Sequence, residues 1–111
     1  MNRQTNPDLH HTDAGAQLLR QYLPIIHDPE AARFADRRKA ALAAYLRQEV
    51  TERELECLLL YFVEGYSLQR ISTLLSISPS SVSRNMNRGR ERIEHVLSLG
   101  AELLGQDFIR S

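Results

Sequence analysis

Ser80, Arg84, Asn87 and Arg88 form the chemically most specific grouping in this 111-residue chain. On a helix turning about 100° per residue they lie on one side. Hydroxyl, guanidinium and carboxamide groups on one face are tools for reading hydrogen-bond patterns. Arginine can make two hydrogen bonds to guanine and asparagine two to adenine, and an α-helix fits the width of a DNA major groove. These four residues are therefore expected to face bases. Arg70, Ser81, Ser83, Arg90 and Arg92 fall at the margins of the same unit, where phosphates would be met. The plainer alternative is a solvated polar face. The dense arginines at 84, 88, 90 and 92, with Glu91 among them, weigh against it.

Other chemistry finds no foothold in the chain. His10 and His11 are adjacent, and His27 and His95 have no Cys or His at metal spacing. The serines at 76, 78, 80, 81 and 83 have no histidine nearby in sequence to activate one as a nucleophile. No glycine-rich phosphate loop follows a strand pattern. No enzyme, metal site or cofactor is expected. Cys57, the single cysteine, excludes an internal disulfide and falls beside an apolar helix face as a small hydrophobe.

The elements that must position the reading face have written starts and stops. Thr51 with Glu54 makes a capping box ahead of Leu55, Leu58, Leu59 and Phe62 at helical spacing. Gly65 ends that helix. Ser67 caps a short helix carrying Leu68, Ile71, Leu74 and Leu75. Ser76-Ile77-Ser78 is a turn, Ser78 a cap, and Pro79 occupies the first position of the next helix. That last helix turns Val82, Met86, Ile93, Val96 and Leu97 inward, so Arg84 points away from the core. Leu58, Leu59, Phe62, Ile71, Leu75, Ile77, Val82 and Met86 are the expected core. The spacing predicts an all-α fold of about five helices near 14–26, 29–48, 51–64, 67–75 and 79–97 or longer, with a C-terminal helix-turn-helix and no winged elements.

The segment from Val50 to Ile93 resembles the fourth region of bacterial RNA polymerase sigma factors. The matching residues are Val50-Thr51, Arg53-Glu54, Gly65, Ser67, Ile71, Leu75, Ile77-Ser78, Val82, Met86 and Arg88-Gly89-Arg90. Ser72 replaces a small alanine, Ser76 the turn glycine, Met86 a leucine and Gly89 an alanine. Output domains of quorum-sensing-type response regulators share much of the pattern. The resemblance implies a sequence-specific DNA-binding transcription regulator whose recognition helix, about 79–97, enters the major groove. It equally implies the alternative of an interaction module that binds RNA polymerase or another regulator with little direct DNA reading. Small stand-alone proteins of this type occur on bacterial mobile elements and phages.

Charge and length sharpen the expectation. The formal net charge is zero, but its distribution is uneven. Arg70, Arg84, Arg88, Arg90 and Arg92 gather in the helix-turn-helix, while Glu52, Glu54, Glu56 and Glu64 outweigh Arg53 in the helix before it. Such asymmetry suits a nucleic-acid surface. The acidic helix reads as a solvated face or as acids offered to a basic partner. The length fits one domain. No apolar run is long enough to span a membrane and no signal-peptide core is evident, so the chain is expected to be cytoplasmic.

The division expected is a polar tail at 1–13, a helical segment at 14–49 and the helix-turn-helix with its long last helix at 50–111. Leu18, Leu19, Tyr22 and Leu23 form an amphipathic helix interrupted by Pro24. Asp28-Pro29-Glu30 reads as a helix start. Its apolar side is Ala31, Phe34, Ala35, Leu42, Tyr45 and Leu46, interrupted by the basic Arg37-Arg38-Lys39, which reads as a solvated face or a phosphate contact. Leu97, Leu103 and Leu104 extend the last helix beyond a three-helix core. That extension either folds back onto the 29–48 helix or, with the Phe34–Tyr45 face, pairs with a second subunit as a homodimer.

Overall fold

The computed structural model describes residues 14–104 of the chain. Five α-helices follow one another: α1 (Ala14–His27), α2 (Arg37–Glu49), α3 (Glu52–Leu58, continued by a wider π turn over Leu59–Val63), α4 (Leu68–Leu75) and α5 (Pro79–Leu104). The described residues contain no strand and no winged element, as expected of an all-α fold.

Local chemistry sets most boundaries. The Thr51 hydroxyl accepts from the Glu54 N–H at 3.1 Å, and the Glu54 carboxylate accepts from the Thr51 N–H at 3.0 Å, so the capping box is complete. Gly65, with φ 81°, ends the π turn where the Tyr66 N–H reaches the Leu60 carbonyl at 2.9 Å. Ser67 caps α4 by accepting from the Arg70 N–H at 3.1 Å.

The stretch 29–48 is not one helix. Asp28 accepts from the Glu30 N–H at 3.0 Å, but only a 3-10 turn over Ala31–Phe34 follows, and Ala35 is extended. The operative cap is Asp36, whose carboxylate accepts from the N–H groups of Arg38 at 2.7 Å and Lys39 at 3.3 Å. Two competing caps in one short stretch split the helix, and the second begins α2. These hydrogen bonds hold the Asp36 carboxyl below its ordinary range. Arg37-Arg38-Lys39 therefore forms the first turn of α2 rather than a break in an apolar side. Phe34 and Tyr45, read on the apolar side of the 29–48 helix, are both exposed, Phe34 at 89%. Pro24, expected to interrupt the first helix, sits inside α1, and its carbonyl accepts from the Asp28 N–H at 3.0 Å.

All five helices share one core. Leu58, Phe62, Ile71, Val82 and Met86 are buried as expected, while Leu59, Leu75 and Ile77 are half-buried at its edge. The larger addition comes from the N-terminal side. Leu19, Tyr22, Leu23 and Ile26 of α1 and Ala43 and Leu46 of α2 are buried in the same cluster. Arg47 fastens α2 to the end of α1, donating to the carbonyls of Ile26 at 2.8 Å and Ile25 at 2.7 Å. These are carbonyls that a helix end leaves without a helical partner. Cys57 is buried in the core, and burial pushes its thiol up to about 11.

Of the two arrangements open for the far end of α5, the fold-back is present. Leu97 is buried within the chain, and Gly100 lies against Leu42 of α2, where an added Cβ would come within 3.2 Å of the leucine. The side chains of Leu103 and Leu104 lie outside the described ones, as do His10 and His11.

Candidate nucleic-acid interface

The turn between α4 and α5 is built from serines. Ser76 adopts the left-handed conformation, φ 58° and ψ 43°, where a glycine would be unstrained. Two hydrogen bonds repay part of that strain: the Ile77 N–H reaches the Ser72 carbonyl at 3.2 Å, and the Ser72 hydroxyl donates to the Ile77 carbonyl at 2.6 Å. Ser72 and Ser76 thus work as a pair in this turn. Ser78 then caps α5, accepting from the Ser81 N–H at 3.1 Å while its hydroxyl donates to the Ser81 hydroxyl at 3.1 Å.

Beyond this cap, α5 divides cleanly into an inner and an outer side. Val82, Met86, Gly89, Ile93 and Leu97 are buried. Ser80, Arg84, Arg88, Glu91 and His95 are exposed along the opposite side, with Asn87 half-buried beside them. The four residues expected to read bases therefore lie along one accessible strip at the start of α5. The Arg84 guanidinium donates to the Ser81 hydroxyl at 3.4 Å, which leaves most of its donors directed outward. Ser81 and Ser83 are half-buried at the edge of the strip. Arg70 is exposed on α4, with its guanidinium 5.2 Å from the centre of the Tyr66 ring.

Arg90 and Arg92, expected at phosphates, are turned toward the protein. The Arg90 side chain is 12% exposed, donates to Glu94 at 2.8 Å and lies 5.7 Å over the Phe62 ring. Arg92 donates to the Glu54 carboxylate at 2.8 Å and to the Glu49 carbonyl at 3.2 Å. The physical reason is position: Arg92 falls where α5 crosses α3 and the end of α2, and Arg90 where α5 passes Phe62 and the start of α1 at Gly15, so each charge meets protein groups there.

Glu54 is the residue that reading the sequence for caps undervalued. It is 3% exposed, and besides the capping box it receives Arg92 and, at 3.5 Å, the Arg88 Nε. One signal pointed to it. Gly89 interrupts a good helix former's pattern, and an added Cβ there would come within 2.8 Å of Leu58 Cδ1 and 3.1 Å of Glu54 Cβ. The missing side chain lets α5 approach α3 closely at the level of this carboxylate.

A second feature lies between the end of α1, α3 and α4. An open groove of about 950 Å3 is lined by leucines, among them Leu55, Leu59, Leu60 and Leu75, by Glu52, Glu56 and Glu64, and by Arg47 and His27.

Residues 46–93 match the family described as Sigma-70, region 4. This stretch, from the end of α2 through the crossing of α5 over α3, is a sigma-region-four-like helix-turn-helix. No curated protein and no solved structure matches the chain. Among the described residues no helix is long and apolar enough to cross a membrane, and no cluster of His, Cys, Asp and Glu is arranged to hold a metal ion.

Proposed function

We propose that the chain is a sequence-specific DNA-binding transcription regulator that inserts the first half of α5 into the major groove. The observation that carries this reading is the accessible strip of Ser80, Arg84, Asn87 and Arg88 immediately after a capped helix-turn-helix turn. A recognition helix of this class reads bases with residues near its N-terminus while the preceding helix crosses the backbone. Arg84 and Asn87 supply the bidentate donors and acceptors, with Ser80 and Arg88 beside them. Arg70, Ser81 and Ser83 meet phosphates. Arg92 anchors α5 through Glu54, Arg90 pairs with Glu94 of its own helix and packs over Phe62, and both contribute to DNA binding indirectly.

Selection of bound sequences from random duplex DNA, followed by titration at two salt concentrations, tests the reading. Arg84→Ala is expected to cost about 1–3 kcal/mol on the selected sequence and to remove discrimination at one base position. Arg70→Ala is expected to weaken selected and random DNA alike and to lower the salt slope by about one unit. Loss of both DNAs in equal measure on Arg84→Ala overturns the assigned face.

The groove beside α3 supports a second reading, an interaction module. Its leucines, with Glu52, Glu56 and Glu64 outnumbering Arg47, suit a basic amphipathic helix of a partner such as RNA polymerase. Undiminished partner capture by a variant that binds no DNA would favour this reading. A homodimer remains a proposal resting on the exposed Phe34 and Tyr45, since Leu97 is covered within its own chain. A light-scattering mass that stays at 12.7 kDa across micromolar concentrations removes it.

A further inference from the structure

Glu54 sits at the junction of the cap, the helix crossing and the DNA-facing strip. Its carboxylate is almost fully buried and holds Arg92 at 2.8 Å and the Arg88 Nε at 3.5 Å. Arg88 is otherwise exposed on the strip with Arg84. A buried carboxylate cannot turn to water when its partner leaves, so it competes for that partner with any incoming anion. Arg88 therefore stands between one fixed anion inside the protein and another, the phosphodiester, outside.

We infer that Glu54 is a positioning residue that limits how much of the positive charge of α5 reaches DNA, with Arg88 as the group it withholds. The inference rests on the proposed DNA reading and deepens it. Arg88 engages the duplex by exchanging the Glu54 carboxylate for a phosphate or base acceptor. That exchange trades one charged contact for another, so Arg88 adds little to binding of random DNA. Arg84, which among the described residues donates only to the neutral Ser81 hydroxyl, has no such competitor. Arg92 is retained at Glu54 and the Glu49 carbonyl, which keeps α5 seated during the exchange.

Glu54→Gln tests this, because glutamine also serves at the third position of a capping box and so preserves the helix start. Binding of a random-sequence duplex is measured against salt for wild type, Glu54→Gln, Arg88→Ala and the double variant. Glu30→Gln, an exposed site, makes the same change in net charge and serves as the control. The expected result is that Glu54→Gln steepens the salt slope by about 0.9 and tightens binding up to about eightfold at 0.1 M salt. Glu30→Gln leaves both nearly unchanged, and Arg88→Ala removes the gain. Unchanged slope in a folded Glu54→Gln protein overturns the inference. So does weaker binding, which would mean that Glu54 aims Arg88 at DNA instead of withholding it.

If Glu54→Gln does not fold, Glu54→Asp replaces it. It keeps the charge but shortens the reach, so the longer contact to Arg88 breaks first. The same steepening, lost on Arg88→Ala, is expected, and its absence overturns the inference. Retention on heparin, a polyanion that needs no base reading, separates this from the functional proposal. If wild type binds no duplex, the DNA reading falls. Later elution of Glu54→Gln than of Glu30→Gln, abolished by Arg88→Ala, would still support withholding, and equal elution would refute it.

Discussion

The two halves of α5 carry the same residue type to opposite ends. In the first half Arg84 and Arg88 are exposed on a strip flanked by serines, and only Val82 and Met86 tie the helix to the core. In the second half Arg90 and Arg92 lie against Glu94, Phe62, Glu54 and the end of α2, while Ile93, Leu97 and Gly100 are covered by other helices. An arginine's role is thus set less by its neighbours in sequence than by what faces it across the helix crossing. A charge facing solvent can be offered to a ligand. A charge turned inward, as at Arg90 and Arg92, is part of the scaffold, and Arg88, exposed yet 3.5 Å from Glu54, stands between the two.

Substitutions in the two halves can break this contrast. Ile93→Ala, at the centre of the covered half, is expected to destabilise the fold by about 2–5 kcal/mol, and Val82→Ala by about 1–3 kcal/mol. Urea denaturation followed by circular dichroism should show a single transition in each, because both residues belong to one core that includes α1 and α2. Two separate transitions would mean that the N-terminal helices and the helix-turn-helix fold apart.

The arginines give the next largest effect. Arg90→Ala is expected to lower stability by about 1–2 kcal/mol through loss of the Glu94 pair and the Phe62 ring contact, with the salt slope of DNA binding unchanged. Arg84→Ala should leave stability within about 0.5 kcal/mol of wild type while changing DNA discrimination. A reversed pattern would exchange the roles assigned to the two halves.

The turn that joins α4 to α5 offers a smaller, opposite effect. Ser76→Gly relieves the left-handed backbone but gains freedom in the unfolded chain, so a net stabilisation of about 0.5–1 kcal/mol is expected. A lower melting temperature for Ser76→Gly would show that the hydroxyl itself holds the turn.

The last effect is a pH dependence in the covered region, absent near neutral pH. The buried Cys57 thiol is pushed from an ordinary value of 9.0 up to about 11. Below the ordinary value it is protonated in both states, so its contribution is fully present. Between that value and about 11 the unfolded chain releases a proton that the folded chain keeps, so stability falls as pH rises. Cys57→Ala should flatten this alkaline decline in urea midpoints. An identical decline in the variant would assign it to other groups.

Much of the fold was legible because its signals are local. The Thr51–Glu54 box, the Ser67 and Ser78 caps, Gly65 and the apolar spacing of α3 to α5 each act within a few residues. The helix at 29–48 was misread for the same kind of reason. Asp28-Pro29 and Asp36 are both adequate caps, and only packing chose the second, leaving Phe34 outside. The strip of Ser80, Arg84, Asn87 and Arg88 was also legible, because a helix with a strong inner side fixes its outer side by periodicity alone.

The sequence by itself determined an all-helical chain, its helix-turn-helix and the outward face of the first half of α5. These follow from capping and periodicity, whose range is one helical turn. Only the tertiary structure decided that α1 and α2 complete the core, that α5 folds back onto α2, and that Glu54 gathers Arg88 and Arg92. Those contacts join residues far apart in the chain, where burial and charge pairing between helices choose among partners that local sequence leaves equivalent.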